Sequence, residues 1–400
     1  VGRPEGREKA GSFLPAEKQS DNPEILFKGG AGVMSRRLRV GILCGGKSAE
    51  HEVSLRSARN IMEAIDKDKY EVVLIGISKE GRWFKMGSAR FLLRADDPMS
   101  ISLNRMGEQV AVLPGEKVEP FLALSDGSSV GSVDVVFPVL HGPFGEDGTV
   151  QGMLKLLNVP FVGSGVLSSA VAMDKDVTKR LLRDAGIPVA KFRVLERSSR
   201  DGVDFQDVKG HLGLPVFVKP ANLGSSVAVN KVGDEEGFSR AMKEAFMYDN
   251  KVIVEEYVKG REIECSVLGN RNPVASVPGE IIPRHEFYSY EAKYVDEQGA
   301  ALEIPAKLGE SIVREIQHLA IKTFQVLLGE GMARVDFLLR SDTEIIVNEM
   351  NTIPGFTQIS MYPKLWEASG ISCAELIDRL IQLALERSEV ERKLRTSYFA

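Results

Sequence analysis

The feature that most restricts the fold is an alternation of apolar runs near the start of the chain. Arg39–Cys44 is a short apolar run that stops at Gly45-Gly46, Val53–Ile65 carries apolar residues at helical spacing, and Glu71–Ile77 is apolar again. Val133–Leu140 reads as another buried strand and Thr149–Leu157 as another helix. Strands alternating with helices predict an α/β domain, a parallel sheet covered by helices, whose ligands bind beyond the carboxyl ends of the strands. Residues 86–130, with Pro98, Pro114, Pro120 and a Ser/Gly cluster at 125–132, read as an irregular insertion with weak strands.

Four hundred residues leave room for two to three domains. The polar segment Val1–Val33 reads as a tail without the apolar core of a signal peptide, and 34–165 as the α/β domain. A second block, 166–258, holds helices at Lys175–Ala185 and Glu235–Met247 and strands at Val216–Lys219, Ser226–Lys231 and Val252–Glu255. A third, 259–390, holds a strand at Glu262–Leu268, a helix at Glu310–Leu328, a hairpin of Ala333–Leu339 with Ile345–Glu349, and a helix at Ala374–Glu386. Residues 391–400 read as a second tail. The net charge, 51 − 56 = −5, offers no broad basic surface for nucleic acid. No apolar run approaches the roughly 18 residues of a membrane-spanning helix. Cys44, Cys265 and Cys373 form no C-x-x-C pair, specify neither a disulfide framework nor a zinc site, and suit a reducing cytosol.

One motif misleads. Gly41 to Ser48 matches the Walker A pattern, but Ile42, Leu43 and Cys44 read as strand core rather than as a loop wrapping a phosphate. The Gly45-Gly46 turn still presents Glu50 and His51 beyond a strand end. His141 opens a glycine-rich loop, Gly142 to Gly148, at another strand end. Lys219 closes an apolar strand ahead of Gly224-Ser225-Ser226, a loop whose N–H groups suit a polyphosphate, or else a solvated turn. Lys175 begins a helix, where a lysine opposes the helix dipole unless an anion is near.

The hairpin is more specific. A turn centred near Ser341-Asp342 sets Arg334 opposite Glu349 and Asp336 opposite Val347, so that Arg334, Asp336 and Glu349 share a face while Val335, Phe337 and Ile346 point the other way. Two carboxylates with Asn351 just beyond make an oxygen-rich site for Mg²⁺, and the arginine suits a transferring phosphoryl or an oxyanion. The competing account is a solvated, salt-bridged hairpin. Asn351 to Phe356 forms a tight turn, and the polar loop 284–300, with Tyr288, Tyr290, Lys293 and Tyr294, reads as a lid.

These segments resemble the D-alanine–D-alanine ligase family. The resemblance rests on Gly45 to Ser54, Leu140 to Gly148, Gly163 to Gly165, Met173 to Lys175, Val218 to Ser226, Tyr290 to Tyr294, Ala333 to Asp336 and Asn348 to Gly355, in order along residues 38–388. It implies an ATP-grasp fold, α+β in its two ATP-binding lobes, behind an N-terminal Rossmann-like domain. The implied reaction phosphorylates one D-alanine with ATP and lets the amine of a second attack the acyl phosphate, in cytoplasmic peptidoglycan precursor synthesis by a homodimer. The resemblance assigns Glu50 to the first substrate's ammonium with His141 beside it, and Arg334 and the Gly355 N–H to the oxyanion. Ser225 and Tyr294 link loop to lid, and Ser360 takes the second substrate's carboxylate. Lys175, Lys219 and Lys293 would contact ATP phosphates, with Glu255, Glu256, Val258 and Glu262 around adenine and ribose. Asp336, Glu349 and Asn351 would hold two Mg²⁺ or Mn²⁺ ions. Tyr294 favours an amine acceptor over D-lactate, and Ala228 stands where the family often has glycine. Two other readings remain open from sequence: a related ligase for another amino or hydroxy acid, and a non-catalytic nucleotide-binding regulator.

Overall fold

Leu38–Gly45 (β1) is buried along most of its length because it sits at the centre of a parallel core, between Tyr70–Ile77 (β2) and the later strand Val135–Val139. This computed structural model describes residues 36–87, 92–93, 101–103, 107–115, 119–198, 204–283, 300–395 and 397–398. The helix His51–Ala64 (α1) follows β1 and buries Val53, Leu55, Ala58 and Ile61. The three larger side chains, Val53, Leu55 and Ile61, contribute about 1.5–3 kcal/mol each. Trp83–Met86 (β3), Glu108–Val112 (β4) and Phe121–Ala123 (β5) add antiparallel strands, so the order is β5-β4-β3-β2-β1-β6, with β6 the strand Val135–Val139. The sheet is therefore mixed, and two of its strands lie in the region read from sequence as an irregular insertion. Thr149–Leu156 (α2) completes this part.

The middle of the chain begins with Val166–Met173 (α3) and Lys175–Asp184 (α4). Phe192–Glu196 (β7), Phe205–Leu212 (α5), Val216–Pro220 (β8), Asn230–Val232 (β9), Glu235–Tyr248 (α6) and Lys251–Glu256 (β10) follow. Its strands form an antiparallel sheet ordered β9-β8-β10-β7. Val216, Val218, Val252 and Val254 pack with Phe205, Phe238 and Phe246 from the two helices. Period-two alternation then turns Phe217, Lys219, Ile253 and Glu255 to the opposite face. The strand expected at Ser226–Lys231 is shorter, because Ser225, Ser226 and Ala228 all adopt positive φ.

The third sheet runs β13-β12-β11-β14-β15: Arg261–Gly269 (β11), Gly279–Pro283 (β12), Ala300–Glu303 (β13), Gly331–Arg340 (β14) and Glu344–Asn351 (β15). Glu310–Val326 (α7) covers one face, on Ile263, Cys265, Val335 and Phe337. Met361–Ala368 (α8) and Cys373–Arg392 (α9) end the fold. Leu376, Ile377 and Leu380 of α9 share a core with Val40, Ile42, Leu55 and Ile61, which fixes the last helix to the first sheet and carries it past residue 390.

Candidate active site

Gly45 makes the first turn possible. Its φ is 91°, and a Cβ there would stand 2.2 Å from the Ile77 carbonyl oxygen. The helix starts at His51, and Lys47 rests 5.4 Å from the centre of the Phe144 ring. No phosphate loop is formed, as expected. The turn instead delivers Glu50, buried, to the head of α1. The Ser225 hydroxyl donates to Glu50 Oε1. Ser48 Oγ accepts the Glu50 N–H at 3.2 Å and donates to the His141 carbonyl at 2.8 Å. Gly142, at φ 75°, lets the backbone pass Glu50, since a Cβ would stand 2.6 Å from Glu50 Oε2.

His141 is brought beside Glu50, yet both its ring nitrogens are engaged within the protein. Nδ1 lies 3.0 Å from the Ile353 carbonyl, which only accepts, so Nδ1 carries the proton. Nε2 lies 3.1 Å from Ser57 Oγ, which also accepts the Phe356 N–H at 3.1 Å. Burial lowers the His141 pKa and keeps the ring neutral. Glu146 joins the same two loops, accepting the Gly142 N–H at 2.7 Å and the Ile353 N–H at 3.2 Å. Burial, reinforced by the Glu50 carboxylate, pushes its pKa up to about 8. The resulting platform holds Gly355 next to Ser360: a Cβ on Gly355 would stand 2.9 Å from Ser360 Oγ. Ser360 precedes α8 without using its hydroxyl as a cap, and its Oγ accepts the Thr357 N–H at 3.0 Å.

The second cluster is built on strands and α4. The Asp174 side chain caps α4 by accepting the Asp176 and Val177 N–H groups at 3.1 Å. Lys175 Nζ donates to the Leu223 carbonyl at 2.6 Å and lies 3.8 Å from Glu349 Oε2. One helical turn on, Lys179 is 1% exposed and lies 3.3 Å from Glu255 Oε1 and 3.4 Å from the Asn348 carbonyl. Lys219 Nζ donates to Glu255 Oε2 at 2.8 Å. Burial alone would raise Glu255, but the two ammoniums outweigh it and hold the carboxylate at about 2. Glu256 points away from this pair, to the Lys191 N–H at 2.9 Å and to Arg340 at 3.5 Å. Val258 packs with Ala190 and Ile346. Glu262 lies on the same face of β11 as Glu264, opposite Leu338.

The hairpin register corrects the sequence reading. Arg340 pairs with Glu344 and Leu338 with Ile346, so Ile346 shares the Arg334 face instead of opposing it. A bulge between Asp336 and Phe337 then shifts the register by one residue, placing Asp336, not Arg334, opposite Glu349 and Arg334 opposite Asn351. Bulge and turn error cancel at this end, so Arg334, Asp336, Glu349 and Asn351 do share a face. Arg334 donates to Asp336 from Nε at 2.7 Å and from Nη2 at 2.8 Å, and Asn351 Nδ2 donates to it at 3.0 Å. Arg334 is within electrostatic reach of both His141 and Glu146, which joins the two clusters. Sequence reasoning missed Lys179, Glu146 and Glu264. Lys293 and Tyr294, with Tyr288 and Tyr290, lie outside the described residues.

A mixed sheet followed by two antiparallel sheets, joined where lysines meet carboxylates, defines an ATP-grasp enzyme. Comparison with known proteins narrows the class. The models for the D-ala D-ala ligase N-terminus and C-terminus match residues 39–164 and 181–382. A D-alanine–D-alanine ligase of Oceanobacillus iheyensis is 55% identical over 359 residues, covering 90% of this chain and 98% of its own length. D-alanine–D-alanine ligase A of Escherichia coli is 53% identical over 361 residues, with 90% and 99% covered. The D-alanine-D-alanine ligase structure from Coxiella burnetii superposes with a TM-score of 0.78 at 41% identity, over 90% of this chain and 97% of that one. The VanG D-Ala:D-Ser ligase of Enterococcus faecalis gives 0.76 at 33% identity, over 87% and 100%. This chain belongs to the D-alanine–D-alanine ligase family.

Proposed function

We propose that this chain joins two D-alanine molecules at the expense of ATP, with Glu50 receiving the first ammonium and Ser360 the second carboxylate. The observation that carries this reading is the convergence of Glu50, Ser225 and His141 with Arg334 and the lysine–carboxylate cluster. Lys175 and Lys219 take the phosphates, with Lys293 assigned by resemblance. Glu255, Glu262 and the backbone at Glu256 and Val258 surround the nucleoside. The first carboxylate takes the γ-phosphoryl group of ATP, releasing ADP and forming an acyl phosphate, because a carboxylate oxygen leaves poorly and phosphate leaves well. The second amine attacks, and Arg334 with the Gly355 N–H stabilises the oxyanion of the tetrahedral adduct before phosphate departs. His141, with both nitrogens engaged, holds the Glu50 loop against the Ile353 turn rather than moving a proton. Ser225 orients Glu50, and Tyr294 is its assigned partner from the lid.

Asp336, Glu349 and the Asn351 amide suit Mg²⁺ or Mn²⁺, because all three present oxygen donors. No cluster of three His, Cys, Asp or Glu suited to a metal occurs among the described residues, so phosphate oxygens complete the set. Bound there, two such ions supply charge neutralisation at the phosphates. The lobes 166–258 and 259–390 enclose the nucleotide, behind the 34–165 domain. No helix among the described residues is long and apolar enough to cross a membrane. A cytoplasmic homodimer completes the reading. Phosphate release with ATP, Mg²⁺ and D-alanine tests it: release must depend on D-alanine, and a folded protein without that dependence overturns it. D-lactate in competition tests the choice of an amine acceptor.

A further inference from the structure

Glu264 has no part in the reaction as proposed above, yet it lies within the site. It is buried on the site face of β11, with 6% of its surface exposed. The register sets it directly opposite Asp336 on β14, and Asp336 stands opposite Glu349 on β15. Three carboxylates in one row across three strands repel one another, more strongly where water is partly excluded. Lys175 lies 3.8 Å from Glu349, and Arg334 is the cation beside the other two. Its Nε lies 3.0 Å from Glu264 Oε2 while it also donates to Asp336 Oδ1 at 2.7 Å. One guanidinium therefore serves two carboxylates, and one of the two is the carboxylate that the proposed function gives to a divalent cation. Cation and guanidinium compete for the same Asp336 oxygens.

We propose that Glu264 is a positioning residue that retains Arg334 when Asp336 turns to the cation. It keeps the guanidinium in place at the reacting carbon while Asp336 is released. This inference rests on the reading of Asp336 as a cation ligand and of Arg334 as the oxyanion partner. Removing Glu264 shifts the guanidinium further onto Asp336, so the cation meets a stronger competitor. Removing a negative charge also weakens cation binding directly, whatever Arg334 does. The two effects separate in a double-mutant cycle, because only the first requires Arg334.

The measurement is Mn²⁺ binding to the full chain with ADP, followed by the electron paramagnetic resonance of free Mn²⁺. Glu264→Gln is expected to weaken Mn²⁺ about 10-fold when Arg334 is present and less than about 2-fold in an Arg334→Met background, a coupling of the kind contacting charges show. Equal losses in the two backgrounds overturn the proposal, since Glu264 would then act on the cation directly. No loss in either background overturns it as well. Asp336→Asn tests the underlying assignment: if Mn²⁺ affinity ignores Asp336, the cation site falls, whereas a response to Asp336 without coupling to Glu264 rejects this inference alone. Should Glu264→Gln fail to fold, Glu264→Asp runs the same cycle, keeping the charge while drawing it back by one methylene. A coupling of the same sign supports the proposal there too.

Discussion

Two glutamates at opposite ends of the site, Glu146 half-buried and Glu255 buried, shift in opposite directions. Glu146 is pushed up to about 8 while Glu255 is held at about 2. Burial raises both, so the difference lies in their neighbours. Glu146 receives two backbone N–H groups and faces the Glu50 carboxylate, with Arg334 only a minor counterweight. Glu255 lies between two lysine ammoniums. The end proposed for D-alanine is thus a platform of loops tied by backbone hydrogen bonds and a neutral histidine. The nucleotide end is a strand-borne lattice of opposed charges. In the proposed function the first end orders a small substrate, and the second offers cationic groups to a polyphosphate.

Arg334 belongs to both ends, so its loss should have the largest effect. Arg334→Met is expected to lower kcat for D-alanine-dependent phosphate release about 10³-fold, as for a lost oxyanion donor. ATP binding, measured by calorimetry, should change far less. A comparable collapse of ATP binding would show that the arginine serves the nucleotide end alone. Lys219→Ala should come next, raising KM for ATP about 10- to 100-fold through loss of a charge-assisted phosphate contact. Lys47→Ala should leave that KM unchanged, because its ammonium rests on the Phe144 ring. The reverse ranking would restore the phosphate-loop reading of Gly41 to Ser48.

Much of this division was legible in the sequence. Local periodicity located β1, α1, β2, β11 and the hairpin, since each is specified by its own residues. Long-range partners were not legible. Glu264 falls inside a strand that was read correctly, but its neighbour Asp336 lies 72 positions away, and only sheet order brings them together. Lys179 did carry a signal, standing one turn beyond Lys175 on the same helix face. Its partners, Glu255 and the Asn348 carbonyl, come from two different sheets. Glu146 looked like one more polar residue of a glycine loop, because a carboxylate that accepts backbone N–H groups leaves no pattern of its own. The shared face of Arg334, Asp336 and Glu349 was read rightly, though Ile346 was not, for a reason the sequence hides. Its turn is one residue off the expected pairing, and the bulge before Phe337 restores the alternation.

The pH response should separate the two ends. The folded protein keeps the Glu146 proton up to about 8, whereas a carboxylate in the unfolded chain loses it near its ordinary value. Stability from this group is therefore full at low pH and declines as pH rises through about 8. Glu146→Gln cannot ionise, so its Tm should fall less than that of the parent between pH 5 and 8. His141, lowered by burial, works in the opposite direction but equally in both proteins. Glu255 stays ionised throughout that window. Parallel Tm profiles for the two proteins would mean that Glu146 is ionised at neutral pH, and the contrast between the ends would disappear.

The smallest expected effect concerns the loop that links them. Ser225 reaches Glu50 from a segment in which Ser225, Ser226 and Ala228 have φ of 53°, 57° and 54°. An L-residue with a Cβ is strained in this region by about 1–2 kcal/mol, and glycine is not. Ala228→Gly relieves that strain in the folded loop but adds freedom to the unfolded chain, which offsets about 0.4–1 kcal/mol. The net gain is at most about 1.6 kcal/mol, equivalent to roughly a tenfold change in an equilibrium constant. If the strain burdens the nucleotide end, KM for ATP should fall severalfold in Ala228→Gly while KM for D-alanine stays fixed. If both constants shift together, the loop acts on Glu50 as much as on the phosphates. A rise in KM for ATP would show instead that alanine's restriction preorders the loop, and that its turn contacts, Val227 N–H to the Gly224 carbonyl and Val229 N–H to the Ser226 carbonyl, already hold the strained conformation.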